Sequence, residues 1–135
     1  MDAYLTFNGN CREAMIFYKA CLGGELTLQT IGDSPLSEKM PKRMKDCILY
    51  ATLVKDALVL KGSDIVSSKG LIKGNAISLS LHCESLEQIQ TCFEKLSKGG
   101  NIEQPLEHNY WGNLTGTIID KYGNHWLLNY KNNHS

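Results

Sequence analysis

Alternation of apolar and polar residues predicts the strands of this chain. Between positions 77 and 82 the apolar residues are Ile77, Leu79 and Leu81, and the polar residues are Ser78, Ser80 and His82. Because successive strand residues point to opposite faces of a sheet, we expect the apolar set to pack on a helix and the polar set to face away from it. The other predicted strands cover 3–8, 25–31, 46–54, 57–61, 101–106, 113–119 and 125–130.

Two segments between these strands have apolar residues at helical spacing. Asn10 precedes the first segment, and Glu13 follows three residues later, which is the pattern of a capping box. Ser85 and Gln88 repeat that pattern ahead of the second segment, which is predicted to run to position 97. A polar loop is predicted at 32–45, and its length is typical of a lid or an irregular segment.

One short motif occurs twice with the same internal spacing. The copies are Phe17-x-Lys19-x-x-x-Gly23-Gly24 and Phe93-x-Lys95-x-x-x-Gly99-Gly100. Each lies near the end of a predicted helix that follows a strand, so the repetition indicates one supersecondary unit used twice. The elements are then β-α-β-β-β in each half, which is an α+β arrangement. We predict a single domain over 1–135, with module 1 at about 1–63, a linker at about 64–75 and module 2 at about 76–135.

Composition narrows the classes of function. The 135 residues include 14 acidic and 14 basic side chains, so the chain lacks the basic excess that nucleic-acid binding favours. No apolar run approaches the roughly 20 residues of a membrane span, and the first residues lack the pattern of a secretory signal. The 5 cysteines are an odd set without a C-x-x-C pair. We therefore expect free thiols in a reducing cytoplasm, and neither a disulfide framework nor a zinc cage.

Several segments resemble one known family. The chain begins with Tyr4-Leu5-Thr6-Phe7-Asn8-Gly9-Asn10, continues with Ser78-Leu79-Ser80-Leu81 and Tyr110-Trp111-Gly112, and closes with Asp120-Lys121-Tyr122-Gly123-Asn124-His125-Trp126. In this order they resemble the PhnB-like branch of the glyoxalase/bleomycin-resistance/dioxygenase superfamily. The resemblance implies a vicinal-oxygen-chelate fold, in which two βαβββ modules form an open, curled mixed sheet with a central cleft. It also implies a homodimer and a small-molecule ligand.

Enzymes of that superfamily typically bind a divalent metal through the first and last strands of each module. Carried onto this chain, those ligand positions fall at Ala3 and Leu60 in the first module and at Ser78 and Leu127 in the second. Alanine and leucine have no lone pair for a metal, and a serine hydroxyl is a weak ligand beside histidine or carboxylate. We therefore expect no metal site of the usual kind and no bound cofactor.

The same register predicts the residues that line the cleft. Apolar walls and a few hydroxyl, amide and imidazole groups would together form a mixed pocket of the kind that binds small molecules. Trp111 precedes the seventh strand and is expected either to cover the mouth of the pocket or to anchor a core or dimer contact. The predicted pocket residues are Leu5, Phe7, Leu60, Ser78, Ser80, His82, Trp111, His125, Leu127 and Asn129.

Three classes of function remain open on these residues. The first is a metal-free small-molecule-binding protein, which the absent ligands and the mixed pocket favour. The second is an enzyme of the same superfamily (a lyase, isomerase, dioxygenase or group transferase) with an unusual metal site or none, and with His82 or His125 as general base. The third is a structural role in which exposed aromatic residues mediate contact with a partner. The residues assign no catalytic group, and a nucleophilic pair of His82 and Cys83 is excluded because neighbouring strand residues face opposite ways.

Overall fold

The computed structural model describes residues 1–35, 37–39, 41–65 and 70–131. Parts of the predicted loop (36 and 40), of the predicted linker (66–69) and of the second module (132–135) lie outside the described residues. The chain divides into two compact units, with the division between Ile72 and Lys73. This point lies within the linker predicted at 64–75.

Unit 1 packs one helix on one side of a four-stranded sheet. The strand order is β1-β4-β3-β2, with β1 parallel to β4 and the other neighbours antiparallel. Two short 3-10 turns occupy parts of the predicted loop, at Ser37–Lys39 and Lys42–Met44. The main elements are β1 (Ala3–Thr6), α1 (Cys11–Leu22), β2 (Glu25–Thr30), β3 (Ile48–Lys55) and β4 (Leu58–Ser63).

Unit 2 repeats this arrangement. Its strand order is β5-β8-β7-β6, with β5 parallel to β8, so the predicted pair of βαβββ modules and the α+β class are confirmed. The elements are β5 (Leu79–Cys83), α2 (Leu86–Ser97), β6 (Asn101–His108), β7 (Leu114–Ile119) and β8 (His125–Tyr130). Neither helix within the described part of the chain has the length and apolar character that a bilayer crossing requires.

The repeated glycine pairs have a structural reason in both units. A Cβ at Gly24 would lie 2.5 Å from the carbonyl oxygen of Val54, near the end of β3, and a Cβ at Gly100 would meet the carbonyl oxygen of Ile119, at the end of β7. Each helix therefore leads into its next strand so close to a neighbouring backbone that a side chain would clash. This shared geometry explains why the glycine pair occurs in both copies of the repeat.

In each unit, one face of the helix packs against one face of the sheet. The buried residues of α1 include Cys11, Met15 and Tyr18, and a Cβ added at Gly62 in β4 would lie 3.2–3.3 Å from Cys11, Phe7 and Met15. In unit 2, a Cβ added at Gly116 in β7 would lie only 2.6 Å from the ring of Phe93 in α2. Glycine at both positions lets helix side chains rest directly on the sheet backbone.

The two predicted helix caps differ in outcome. Ser85 caps α2, since its Oγ accepts a hydrogen bond from the Gln88 backbone N–H at 3.0 Å. The Gln88 side chain accepts from the Glu84 N–H, one residue earlier than the usual capping box. For α1, Asn10 occupies the N-cap position as predicted, but its side chain makes no capping bond, so the predicted capping box is absent.

A distant carboxylate caps α1 instead. Asp64, just after β4, accepts the backbone N–H groups of Gly9 and Cys11 through Oδ1, each at 2.9 Å, and that of Ile48 through Oδ2 at 2.8 Å. One side chain therefore ties the start of α1 to the start of β3 and the end of β4. An ionised acceptor at a helix N-terminus is favoured by both hydrogen bonding and the helix dipole.

Candidate functional site

Each sheet has one face covered by its own helix and one face that points away from that helix, which we call its helix-free face. In unit 2, Leu81, Cys83, Trp126 and Leu128 are buried on the helix side, and their neighbours along each strand point the other way. The helix-free face of unit 2 therefore includes Ser80, His82, Thr115, Thr117, Ile119, His125, Leu127 and Asn129, and β6 adds Gln104 and Glu107 opposite Thr117 and Thr115.

Strand pairing arranges these residues in rows across three strands. His82 in β5 pairs with Asn129 in β8, and Asn129 pairs with Thr115 in β7. The next row contains Ser80, Leu127 and Thr117. Hydroxyl, amide and imidazole groups thus lie on neighbouring strands, about 4.8 Å apart, beside one leucine. This set offers hydrogen-bond donors and acceptors to a polar molecule, together with a small apolar contact.

Five of the predicted pocket residues lie together on this face: Ser80, His82, His125, Leu127 and Asn129. His125 Nδ1 lies 3.5 Å from Glu103 Oε1 of β6, so a carboxylate faces that imidazole. Ser78 precedes β5, which begins at Leu79, and is not a strand residue. Ile77 was expected to pack on a helix, but it lies ahead of the strand and is 80% exposed. That expectation was wrong because β5 is shorter than the alternating pattern.

The β6–β7 loop presents two exposed aromatic rings. Tyr110 and Trp111 are 94% and 80% exposed, and their rings meet edge to face with centroids 5.7 Å apart. The Asn109 side chain supports the loop by accepting the backbone N–H groups of Trp111 and Asn113, each at 3.0 Å. The exposure shows that Trp111 is not a core residue of unit 2.

The segment 120–126, which resembles the superfamily at the end of the chain, stabilises the turn before β8. Asp120 is 2% exposed; its Oδ1 accepts the N–H groups of Tyr122 and Asn124 at 2.8 and 3.1 Å, and its Oδ2 accepts the indole N–H of Trp126 at 2.8 Å. A buried carboxylate is tolerated when its oxygens are saturated in this way. These contacts hold the turn that leads into β8 and therefore position His125 and Leu127.

In unit 1 the structure contradicts part of the predicted pocket. Phe7 and Leu60 are each 1% exposed, and Leu60 shares its sheet face with Gly62, which contacts α1. Leu5 pairs with Gly62 and faces the same way. These three residues were expected on the side away from the helix. All three lie on the helix side of the sheet and not on its helix-free face, and Phe7 and Leu60 belong to the buried core of unit 1.

The helix-free face of unit 1 carries a different set. One row crosses all four strands: Tyr4 pairs with Lys61, Lys61 with Thr52, and Thr52 with Thr27. Tyr50 lies on the same face, one step along β3 from Thr52. The face therefore contains two phenol rings, two threonines and an ammonium group, none of which was among the predicted pocket residues.

The sequence did contain a signal for these residues. The spacing that places Phe17 on Phe93 and Gly23 on Gly99 also places Tyr4 on Ser80. Our register had matched Ala3 with Ser78 and so shifted the first module by one position. A shift of one residue moves every side chain of a strand to the other face, which explains why the expected facing of the strand residues agrees with the structure in unit 2 and differs from it in unit 1.

The charged group of this face is held by two neighbours. Lys61 Nζ lies 3.1 Å from Asp2 Oδ2. Hydrogen bonding to Asp2 and then to Tyr50 raises the pKa of Lys61 above its ordinary value. Lys61 therefore stays protonated at neutral pH, which makes it an electrostatic or hydrogen-bonding group and not a base.

The buried thiol nearest the helix start is unreactive. Burial, followed by the nearby Asp64 carboxylate, raises the pKa of Cys11 to about 12. The thiolate is the nucleophilic form of cysteine, so Cys11 has almost none of it at neutral pH.

Comparison with known proteins identifies the family. The model of the Glyoxalase/Bleomycin resistance protein/Dioxygenase superfamily matches residues 1–128. The chain belongs to this superfamily. It is 31% identical to Protein YjdN of Escherichia coli (strain K12) over 140 residues, covering 96% of this chain and 93% of that protein.

Solved structures of superfamily relatives share the fold along the whole chain. Protein PA1353 from Pseudomonas aeruginosa is 36% identical, with a TM-score of 0.82 and coverage of 97% of this chain and 96% of that one. A PhnB protein from Bacillus cereus, described as a putative 3-demethylubiquinone-9 3-methyltransferase, is 26% identical, with a TM-score of 0.75 and coverage of 97% and 98%. The resemblance to the PhnB-like branch is thereby confirmed.

The divalent metal that the superfamily implies does not fit the residues found here. Within the described residues there is no group of three or more histidine, cysteine, aspartate or glutamate side chains that could hold a metal ion. On the helix-free faces, the paired positions of the first and last strands are Tyr4 with Lys61 and Ser80 with Leu127. His82 and His125 lie on the same face of unit 2 but belong to no group of three such ligands among the described residues. A protonated ammonium repels a dication, and leucine has no donor atom.

Proposed function

We propose that this superfamily member binds a small organic molecule on the helix-free faces of its sheets without help from a divalent metal. The observation that carries the proposal is the row of His82, Asn129 and Thr115 beside Leu127. Small-molecule sites combine a few placed polar groups with apolar contact, and this row does so on rigid strands. The donor set that a metal would need is not among the described residues.

The first test of this proposal is native mass spectrometry of the freshly purified protein, compared with its denatured mass. We expect no stoichiometric metal and, where a ligand is retained, an added organic mass. A stoichiometric divalent metal that dialysis does not remove would contradict the metal-free part of the proposal.

The second test uses a library of small polar compounds and measures backbone amide chemical shifts by NMR. We expect the compounds that bind to shift the amides around His82 and Asn129. Asn129→Ala should weaken their affinity by about fivefold to fiftyfold, the usual effect of losing one or two hydrogen bonds. Gln90→Ala, at an exposed position on α2, is the matched control and should leave the affinity unchanged. An equal loss of affinity in both variants would show that the compounds do not bind at the helix-free face of unit 2.

An enzyme of the same superfamily is the second candidate function, and His82 is the observation that favours it. Its imidazole is exposed on the helix-free face beside Asn129, and an imidazole can transfer protons near neutral pH. If a reaction is found, His82→Gln should lower its rate by at least about a hundredfold, the usual contribution of a general base. A rate that stays near that of the wild type in this variant would assign the base elsewhere.

We further propose that the protein is a homodimer without a nucleic-acid partner and that it resides in the reducing cytoplasm. The exposed pair of Tyr110 and Trp111 supports the dimer, because large aromatic side chains are enriched where proteins meet. The net charge of zero argues against a polyanionic partner. None of the five cysteines forms a disulfide bond, which suits a reducing compartment.

A further inference from the structure

The helix-free face of unit 1 concentrates its positive charge in a single side chain. Among the described strand residues on this face, Lys61 is the only cation, and it lies in the row between Tyr4 and Thr52. Its side chain is 30% exposed. A molecule resting on this face would therefore meet one ammonium group near the middle of the sheet.

Two groups fix the position of this ammonium without enclosing it. The Asp2 carboxylate lies 3.1 Å away, and Tyr50 hydrogen bonds to it from β3. An ammonium has three hydrogens to donate, so these two contacts leave donor capacity for a ligand. Asp2 precedes β1 and is itself 41% exposed in its side chain, so an incoming anion competes with a surface carboxylate and not with a buried one.

Aromatic rings lie on both sides of the lysine. Tyr4 occupies the neighbouring position on β1, and Tyr50 belongs to β3 on the opposite side of β4. Both rings are half exposed, at 55% and 40%. Neighbouring strands are about 4.8 Å apart, so a flat ring with a carboxylate at its edge matches the spacing of one cation flanked by two phenols. Aromatic contacts add to the affinity beyond buried area alone.

We propose that Lys61, with Tyr4 and Tyr50, forms a binding subsite for an aromatic carboxylate on the helix-free face of unit 1. This inference rests on the proposed small-molecule function and assigns the ligand a chemical class. The carboxylate accepts a charge-assisted hydrogen bond from the Lys61 ammonium, and the ring lies against the tyrosines. The step is reversible binding and makes or breaks no covalent bond.

Benzoate is the probe that tests this subsite, by NMR titration of backbone amides in the intact protein. We expect its largest shifts in β1, β3 and β4, and we expect benzamide, its neutral analogue, to bind at least about tenfold more weakly because it lacks the charge. Lys61→Gln should lower the benzoate affinity by a similar factor. Lys121→Gln is the matched control, since Lys121 also lies near a tyrosine, with its ammonium 5.4 Å from the Tyr122 ring centroid, but in the turn before β8. It should bind benzoate like the wild type.

A second variant distinguishes ligand binding from a structural role of the lysine. Asp2→Asn removes the competing carboxylate, so benzoate affinity should rise by about threefold, whereas a purely structural ion pair predicts no gain. Equal benzoate binding by wild type and Lys61→Gln, equal binding of benzamide and benzoate, or no benzoate binding up to its solubility limit would each overturn the subsite. If neutral compounds still bind around Asn129, the proposed function survives that failure; if nothing binds either face, both proposals fall.

Discussion

Single carboxylates organise the local structure of this protein. Asp64 gathers three backbone N–H groups from the start of α1 and the start of β3, and Asp120 gathers two backbone N–H groups and an indole N–H around the turn before β8. Backbone donors that water does not reach need an acceptor, and one ionised side chain can serve several of them. Asp64 thereby holds the start of β3, and Asp120 holds the start of β8. Each of these strands contributes residues to the helix-free face of its unit.

Replacing Asp64 should therefore destabilise unit 1 strongly. Asp64→Ala leaves three backbone N–H groups without this acceptor, and we expect the free energy of unfolding to fall by about 2–3 kcal/mol in urea denaturation. Asn10→Ala is the matched control, because the Asn10 side chain makes no capping bond, and it should change stability by less than about 0.5 kcal/mol. A larger loss of stability for Asn10→Ala than for Asp64→Ala would contradict the conclusion that Asp64 caps α1.

Individual residues also show why part of the predicted pocket of unit 1 lies on the helix side of the sheet. Apolar character did not distinguish a core residue from a pocket wall, since Phe7 and Leu60 suited either position. The structure distinguishes the two positions: Phe7 and Leu60 are buried on the side of the sheet where Gly62 lies against α1, so they are core residues. Lys61 and Tyr4 were not among the predicted residues of the helix-free face, because the alignment of module 1 with the superfamily pattern was shifted by one residue.

At the scale of elements, helix and sheet approach closely where a glycine lacks a side chain. Gly116 in β7 faces the Phe93 ring of α2, just as Gly62 in β4 faces α1. Because interiors are packed to crystal-like density, such a contact has no room for an added methyl group. The position of each helix on its sheet thus depends on one glycine.

We expect Gly116→Ala to show this dependence. Its Cβ would lie 2.6 Å from the Phe93 ring, and overpacking of this kind costs about 1–3 kcal/mol of unfolding free energy in chemical denaturation. Gly74→Ala is the control, since a Cβ there has nothing within 4 Å, and it should be near neutral. Adding Phe93→Leu to Gly116→Ala should recover part of the loss, with a coupling of about 1 kcal/mol. Strict additivity of the two changes would mean that the ring is not the obstacle.

At the scale of the whole molecule, the chain is two copies of one βαβββ unit that differ on their helix-free faces. Both units keep the glycine pair after the helix and the parallel pairing of first and last strands. Each also has a glycine on the helix side of its sheet, in the last strand of unit 1 and in the third strand of unit 2. Their helix-free faces differ: unit 1 carries tyrosines and a lysine, and unit 2 carries histidine, serine, threonine and asparagine. The features that place each helix on its sheet are shared, whereas the side chains of the two helix-free faces are not.

The proposed dimer gives a prediction at this scale. If the Tyr110–Trp111 pair contacts a second copy, the double change Tyr110→Ala and Trp111→Ala should shift sedimentation equilibrium toward monomer. Because both rings are exposed in the single chain, the unfolding free energy at low protein concentration should change by less than about 0.5 kcal/mol. Ile72→Ala, at another exposed apolar position (83% exposed), is the control for general loss of exposed apolar surface. An unchanged dimer in the Tyr110–Trp111 variant would place the contact elsewhere.

The sequence by itself determined the order of the elements, the twofold repeat and the superfamily. These follow from local information: apolar periodicity within a strand or helix, glycines after helices, and motifs along the chain. The Ser85 cap was predictable for the same reason, since its partner lies three residues away.

Only the tertiary structure decided which face of each unit 1 strand points away from α1 and which carboxylate caps that helix. Strand facing depends on register, and a pattern with apolar residues on both faces, as in Tyr4, Leu5 and Phe7, leaves the register undetermined. Asp64 lies 53 residues from the Cys11 N–H that it accepts, so no local pattern connects them. Lys61 became a candidate ligand group because strand pairing set it between Tyr4 and Thr52, which is a property of the sheet and not of its own sequence neighbours.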